Sequence, residues 1–244
     1  MRKKNNNKIK KPINITNNLI PKTEDLHFNF RNRLKPKTPN QKDYIRTVAE
    51  NTITFCQGLA GTGKTHIAIG MALEYLSEQK IKKIIITRPV IEAGEKIGYL
   101  PGTAEEKIHP YLLPILDEIN HFISPQLYNS LKLNNQIEIV PLGLMRGRSF
   151  HESFIVADEC QNATYEQLKM LLTRIGRDSK MVITGDTRQS DLNKHLQGGY
   201  KIISHVLNNI NNIGFTHLES SDIIRNPIIA DIMSRIENYE SQET

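Results

Sequence analysis

The chain has 244 residues, with 32 Lys or Arg against 26 Asp or Glu for a formal charge of +6, and 38% of its residues are apolar. That length suits one compact α/β domain and is cramped for two independent enzyme domains. Composition excludes a collagen-like chain, and a membrane-spanning one is excluded because no stretch reaches the ~18 consecutive apolar residues a spanning helix needs.

The start, MRKKNNNKIKKP, lacks the apolar run of a signal peptide. Residues 1–40 hold eleven Lys or Arg and two acids, whereas residues 41–244 hold twenty-one and twenty-four, so the whole basic excess is at the front. That stretch also carries nine Asn and little apolar periodicity. It is expected to form a flexible basic arm over 1–37, ahead of a single domain over 38–244, because it cannot bury enough surface to offset its ordering entropy. Such an arm attracts phosphate backbones by counterion release, although a merely solvated terminus has the same composition.

PNQKDYIRTVAE predicts a short amphipathic helix with Tyr44, Ile45 and Val48 on one face and Pro39 near its start. NTITFC (51–56) predicts a strand, QGLAGTGKT a loop and THIAIGMALEYLSEQ a helix. KKIIITRP gives a second strand ending near Thr87, because Pro89 cannot donate to a ladder. Thr103 and Glu106 form a capping-box pattern that opens a helical stretch, 103–123, which Pro110 and Pro114 are expected to kink or divide. QIEIVP, SFIVAD and KMVITGD predict three further strands, with the helical NATYEQLKMLLTRI between the last two. GFTHLES supplies a sixth strand, and PIIADIMSRIENY a terminal helix with Pro227 in its first turn. Alternating helices and uniformly apolar strands predict a mainly parallel sheet covered by helices on both faces.

Residues 58–65, GLAGTGKT, fit G-x-x-x-x-G-K-[ST] between a predicted strand and a predicted helix. Glycines let successive N–H groups turn inward, and the following helix adds the positive end of its dipole, so the loop should cradle a triphosphate. Gly58, Leu59, Ala60, Gly61, Thr62 and Gly63 supply the backbone, and His66, just beyond, is expected to join the nucleotide-binding residues. Lys64 should reach the β and γ phosphates, and the Thr65 hydroxyl should coordinate Mg²⁺.

SFIVADEC places Asp158 and Glu159 directly after an apolar strand. In a parallel sheet all strand carboxyl ends share one edge, which sets these acids beside the loop. Asp158 is then the expected holder of Mg²⁺, and Glu159 the base for an attacking water. The same edge should carry Thr184, Gly185, Asp186 and Gln189 of VITGDTRQ, a place from which polar groups can detect a γ-phosphate. Arg225 is a candidate for a rate-enhancing arginine or for an ion pair with Asp222; Arg146 and Arg148 carry a similar ambiguity. Cys56 and Cys160 lack C-x-x-C spacing and are expected to be buried small residues of a protein kept in a reducing, cytoplasmic compartment.

The segments PNQKDYI, GLAGTGKT, TRPVIEAGEKIGYLPG, PLGLMRGRSF, ADECQNAT, VITGDTRQSDL and SSDIIRNP together resemble the PhoH-like ATPase family over about residues 39–235. The core of that family is similar to the first motor domain of superfamily 1 helicases. The resemblance implies a P-loop NTPase fold of RecA-like type, with ATP and Mg²⁺ as cofactors. It implies that Gln41 reads adenine as a helicase Q motif does, that Gln161 and Gln189 couple nucleotide state to shape, and that Arg225 is the family's terminal arginine. Arg88 and Pro89 resemble motif Ia, which in those relatives lies near single-stranded nucleic acid.

The expected activity is Mg²⁺-dependent ATP hydrolysis acting on RNA or single-stranded DNA, in the manner of a helicase-like remodeller. The length suffices for only one motor domain, and no separate carboxylate cluster suggests a nuclease. If Arg225 works in trans, subunits should meet head to tail and close into a homo-oligomeric ring. Two alternatives stay open: a small-molecule or nucleoside kinase, and a nucleotide-switched binding protein with slow hydrolysis.

Overall fold

A computed structural model describes residues 28–90 and 104–223, and the isolated positions 228, 232, 235 and 239, with the side chains of 104–110 left out. Six strands form one sheet: β1 (Ile53–Gly58), β2 (Lys83–Arg88), β3 (Ile137–Pro141), β4 (Ser153–Ala157), β5 (Lys180–Gly185) and β6 (Ile213–Leu218). Every pairing is parallel, in the order β3-β2-β4-β5-β1-β6. The fold is therefore the expected α/β sheet, with all carboxyl ends along one edge.

Helices cover both faces. On one face lie α1 (Pro39–Glu50), α2 (Lys64–Ser77), α3 (Ala104–Phe122) and α4 (Pro125–Leu133), packed through Tyr44, Ile67, Ile119, Phe122 and Leu131 against Ile84, Ile86, Phe154 and Val182. On the other face α5 (Tyr165–Leu172) and α6 (Gly199–Val206) set Leu168, Leu171, Tyr200 and Ile203 against Phe55, Ile85, Ile155 and Ile183. Alternation along each strand gives both faces an apolar row, as burial on two sides demands. Cys56 and Cys160 are buried and unpaired by disulfide, and burial pushes the Cys56 thiol up to about 12.

α1 is secured at both ends. Its N-cap Thr38 accepts from Gln41 N at 3.2 Å and donates to Asp222 just beyond β6. At the other end Lys180 of β5 donates to the carbonyls of Val48, Ala49 and Asn51 at 2.9, 2.9 and 2.6 Å, satisfying acceptors that a helix end leaves open.

Three details differ from the sequence expectation. Of the expected arm, residues 28–37 lie on the body: Phe28, Phe30 and Leu34 pack against the core, Arg31 N donates to Phe122 O at 2.7 Å, and Phe30 bridges Ile123. Residues 1–27 lie outside the described residues, as does Thr103 of the capping-box pattern. α3 is a single helix across Pro110 and Pro114. Pro114 faces solvent while Ile115, Ile119 and Phe122 anchor the buried side, so tertiary packing offsets the lost N–H groups. α4 and α6 are additional to the predicted elements. Positions 228, 232, 235 and 239 are helical, in line with the terminal helix; Pro227 falls outside the described residues. Among the described residues no helix is long and apolar enough to cross a membrane.

Candidate functional site

The loop between β1 and α2 is shaped by its glycines. Gly61 and Gly63 have φ of +84° and +91°, a left-handed region that L side chains rarely adopt. Thr62 Oγ1 donates to Leu59 O at 2.8 Å, folding the loop on itself. Lys64 is 8% exposed, and its ammonium donates to Gly58 O at 2.7 Å and Leu59 O at 2.9 Å, so two loop carbonyls compensate the buried charge.

The acids arrive from β4. Asp158 Oδ1 accepts from Thr65 Oγ1 at 2.6 Å and from Thr184 Oγ1 at 2.7 Å, joining the first turn of α2, the end of β4 and the end of β5. Glu159 follows in a left-handed conformation, φ 54° and ψ 40°, uncommon for a non-glycine residue and costing about 1 kcal/mol. Gln161 spans the two strand ends: its amide nitrogen donates to a Glu159 carboxylate oxygen, and its amide oxygen accepts from Asp186 N at 3.0 Å. Asp186 is 4% exposed, and its Oδ2 has no hydrogen-bond partner among the described residues. It lines a cleft of about 260 Å³ bordered by Gly58, Leu59, Leu218 and Glu219.

Thr65, Thr184 and Asp158 offer only oxygen donors, a set suited to a hard divalent cation such as Mg²⁺. The adjacent positive-φ glycines and the N-terminus of α2 suit a phosphate. The residues present therefore fit a magnesium nucleotide.

The sequence-selected residues do not all converge. Gly58, Leu59, Ala60, Gly61, Thr62, Gly63, Lys64, Thr65, Asp158 and Glu159 share one edge, joined by Thr184 and Asp186. Gln41 reaches the loop from α1: its amide nitrogen donates to Thr62 O at 3.0 Å and its oxygen accepts from Lys37 N at 2.8 Å. His66 turns toward α3, with Nδ1 2.9 Å from Glu118 Oε2 and its ring 4.6 Å from that of Phe122. Gln189 sits on the turn after β5 with its side chain exposed. Arg225 lies outside the described residues, whereas Asp222 is held by Thr38, Asn40 and Glu219 N. Arg146 is exposed. Arg148 makes a bidentate pair with Glu138 at 2.6 and 2.8 Å, on the edge strand farthest from the loop, so its ambiguity resolves to a structural ion pair. Sequence reasoning passed over the Gln57 bond to Thr187, 2.6 Å, and the reciprocal pair of Asn162 and Asp191, 2.9 and 3.0 Å. Polar residues at or just beyond the ends of β1, β4 and β5 were the only available signal.

The family profile described as "PhoH-like protein" matches residues 33–237. The chain belongs to the PhoH-like family. The PhoH-like protein of Mycobacterium tuberculosis H37Rv is 44% identical over 207 residues, covering 85% of this chain and 59% of the relative. The PhoH-like protein of Synechocystis is 40% identical over 210 residues, covering 86% and 63%. Protein PhoH of Escherichia coli K12 is 32% identical over 190 residues, covering 77% and 54%. This PhoH-like chain thus spans between 54% and 63% of the length of these relatives. Its matched span includes the loop, both acids and the β5 turn, along with residues 33–37 of the expected arm.

Proposed function

We propose that the protein is a Mg²⁺-dependent ATPase that acts on RNA or single-stranded DNA. The observation that carries the ATPase reading is the convergence of Thr65 Oγ1 and Thr184 Oγ1 on Asp158 Oδ1 at the mouth of the glycine loop. In this reading Thr65, through its hydroxyl, and Asp158 would hold Mg²⁺. The bound ion would neutralise charge on the β and γ phosphates.

The chain's own groups do the rest. The backbone of residues 58–63 and the start of α2 hold the phosphates, and Lys64 exchanges its two loop carbonyls for phosphate oxygens. Glu159, fixed by Gln161, accepts the proton of a water that attacks the γ-phosphorus. The bond to the bridging oxygen breaks, ADP leaves with the electron pair, and the proton passes on to orthophosphate. Asp186 and Gln189 sense the γ-phosphate from the β5 turn, with Gln161 linking them to Glu159. Gln41 reads adenine with the amide that clamps the loop, and His66, in the first turn of α2, is counted with the nucleotide-binding residues. Arg225 is assigned to the γ-phosphate by family resemblance, acting within one chain or across a homo-oligomer. The nucleic-acid part of the reading is supported by the basic excess at the front of the sequence and by the motif-Ia-like Arg88 and Pro89.

The test is phosphate release by the full chain with ATP, with and without Mg²⁺, RNA and single-stranded DNA. Magnesium-dependent release stimulated by either polymer is expected. ADP formed without orthophosphate, and only with an acceptor metabolite, would make the protein a kinase, tight ATP binding without turnover a nucleotide switch, and absence of magnesium-linked ATP uptake would end the reading.

A further inference from the structure

On the opposite sheet face from α1, and so from Gln41, a second cavity of about 460 Å³ opens between α6 and the edge strand β6. Its floor is aromatic. Phe55 and Phe215 are register partners on adjacent strands, with ring centroids 5.3 Å apart and planes inclined by 12°, and Tyr200 meets Phe55 edge-on at 5.8 Å. Phe55 is buried, yet Phe215 is 37% exposed, which leaves the stack unfinished at the end of the sheet. The walls are polar: Lys201, Ser204 and His205 on α6 and Asn208 just after it, with Gln57 and His217 across from them. Among the described residues no carboxylate lines this cavity. Gln57 and His217 also line the cleft beside the phosphate loop, so the two cavities meet there.

We propose that this groove is a binding site for an unpaired nucleotide of a single-stranded nucleic acid, its base stacked on Phe215 and its phosphate drawn to Lys201. A flat heteroaromatic ring completes a stack that the sheet edge leaves open, and base stacking on an aromatic side chain is sequence-tolerant because every base has a π-face. The polar wall offers amide, hydroxyl and imidazole groups to base edges, and Lys201, unopposed by an acid in the lining, complements a phosphodiester. The loop lies on the carboxyl edge of the sheet, but Gln41, which in the proposed reading takes the adenine, is on the other face, so the base of a loop-bound nucleotide points away from the groove and the groove's occupant is a different molecule. The junction at Gln57 and His217 puts that strand one residue from Gly58 and Leu218, close enough for its presence to bear on the loop. The inference rests on the proposed action on nucleic acid and names the surface that performs it.

The test is fluorescence anisotropy of labelled U₁₂ and dT₁₂ with the full chain and with Phe215→Leu, Phe215→Trp and Lys201→Glu. Phe215→Leu keeps an apolar side chain without a ring and is expected to weaken binding about tenfold, while Phe215→Trp retains wild-type affinity. Lys201→Glu, exposed on α6 and outside the core, should weaken binding by a similar factor and lower its salt dependence. Phosphate release without oligonucleotide should be unchanged in all three. If wild type binds neither oligomer, the nucleic-acid reading itself falls. If wild type binds and both Phe215→Leu and Lys201→Glu bind equally well, the groove assignment alone is overturned. A change in light-scattering mass with unchanged oligomer affinity would overturn it in favour of a contact between copies of this chain.

Discussion

Thr65 Oγ1 lies 2.6 Å from Asp158 Oδ1, although ninety-three positions separate the two residues in sequence. The contact joins the first turn of α2 to the end of β4 across the intervening strand β5, whose Thr184 donates to the same oxygen. Asp158→Ala leaves both hydroxyls without this acceptor and removes the expected metal-holding carboxylate. It should abolish magnesium-linked ATP uptake in calorimetry and lower stability in urea by about 1–3 kcal/mol. Normal uptake would remove Asp158 from the site.

Glu159→Gln should leave ATP affinity within about threefold of wild type and cut turnover by about a hundredfold or more, since an amide keeps the shape but takes no proton. Steady-state phosphate release beside a nucleotide titration separates the two effects. Unchanged turnover would make Glu159 a bystander whose left-handed backbone has another cause.

Gly58→Ala should destabilise the fold and distort the loop together. A methyl group there would stand 2.7 Å from Leu218 O and 2.9 Å from Leu218 Cβ, both on the paired strand β6. Backbone must shift to admit it, at a cost of about 1–3 kcal/mol. Chemical denaturation checks the size, and an undiminished midpoint would show that β6 yields freely.

Glu138 gives a pH prediction. The hydrogen bonds from Arg148, outweighing burial and aided by Lys83, pull its carboxyl down from 4.5 to about 2. A carboxyl depressed by folding contributes stability above its unfolded value and loses it as pH falls through the folded one. Glu138→Gln should therefore be less stable than wild type at pH 7 by about 1 kcal/mol, the pair being partly exposed. The gap should close as pH falls from 4.5 to about 2. A gap independent of pH would mean that side-chain shape, not charge, sets it.

The strands and the loop were legible because each carries a local pattern: β-branched runs for β1 to β5, and a glycine spacing that only a few backbones satisfy. α1 and α5 were equally plain, with Thr38 and Thr164 as caps. α4 has a comparable signal, Ser124 capping and Pro125 at the first turn, that was passed over. α6 begins at Gly198 and Gly199 with no side-chain cap, so its start is invisible to local rules. The packing of residues 28–37 on the body was missed because Phe28, Phe30 and Leu34 sit among polar residues and acquire meaning only against the core. Likewise Lys180 reads as the first residue of a strand, while its work is at the end of a helix some 130 positions away.

That last contact has a mechanical consequence. α1 holds Thr62 through Gln41 and reaches Lys64 O through the Tyr44 hydroxyl at 3.3 Å, while Asp222 grips one end of it and Lys180 the other. A strut fastened at both ends cannot rock. Whatever displacement accompanies a change in the loop's occupant is taken up elsewhere than in α1, so the stiffness of one helix limits the directions in which the molecule can respond.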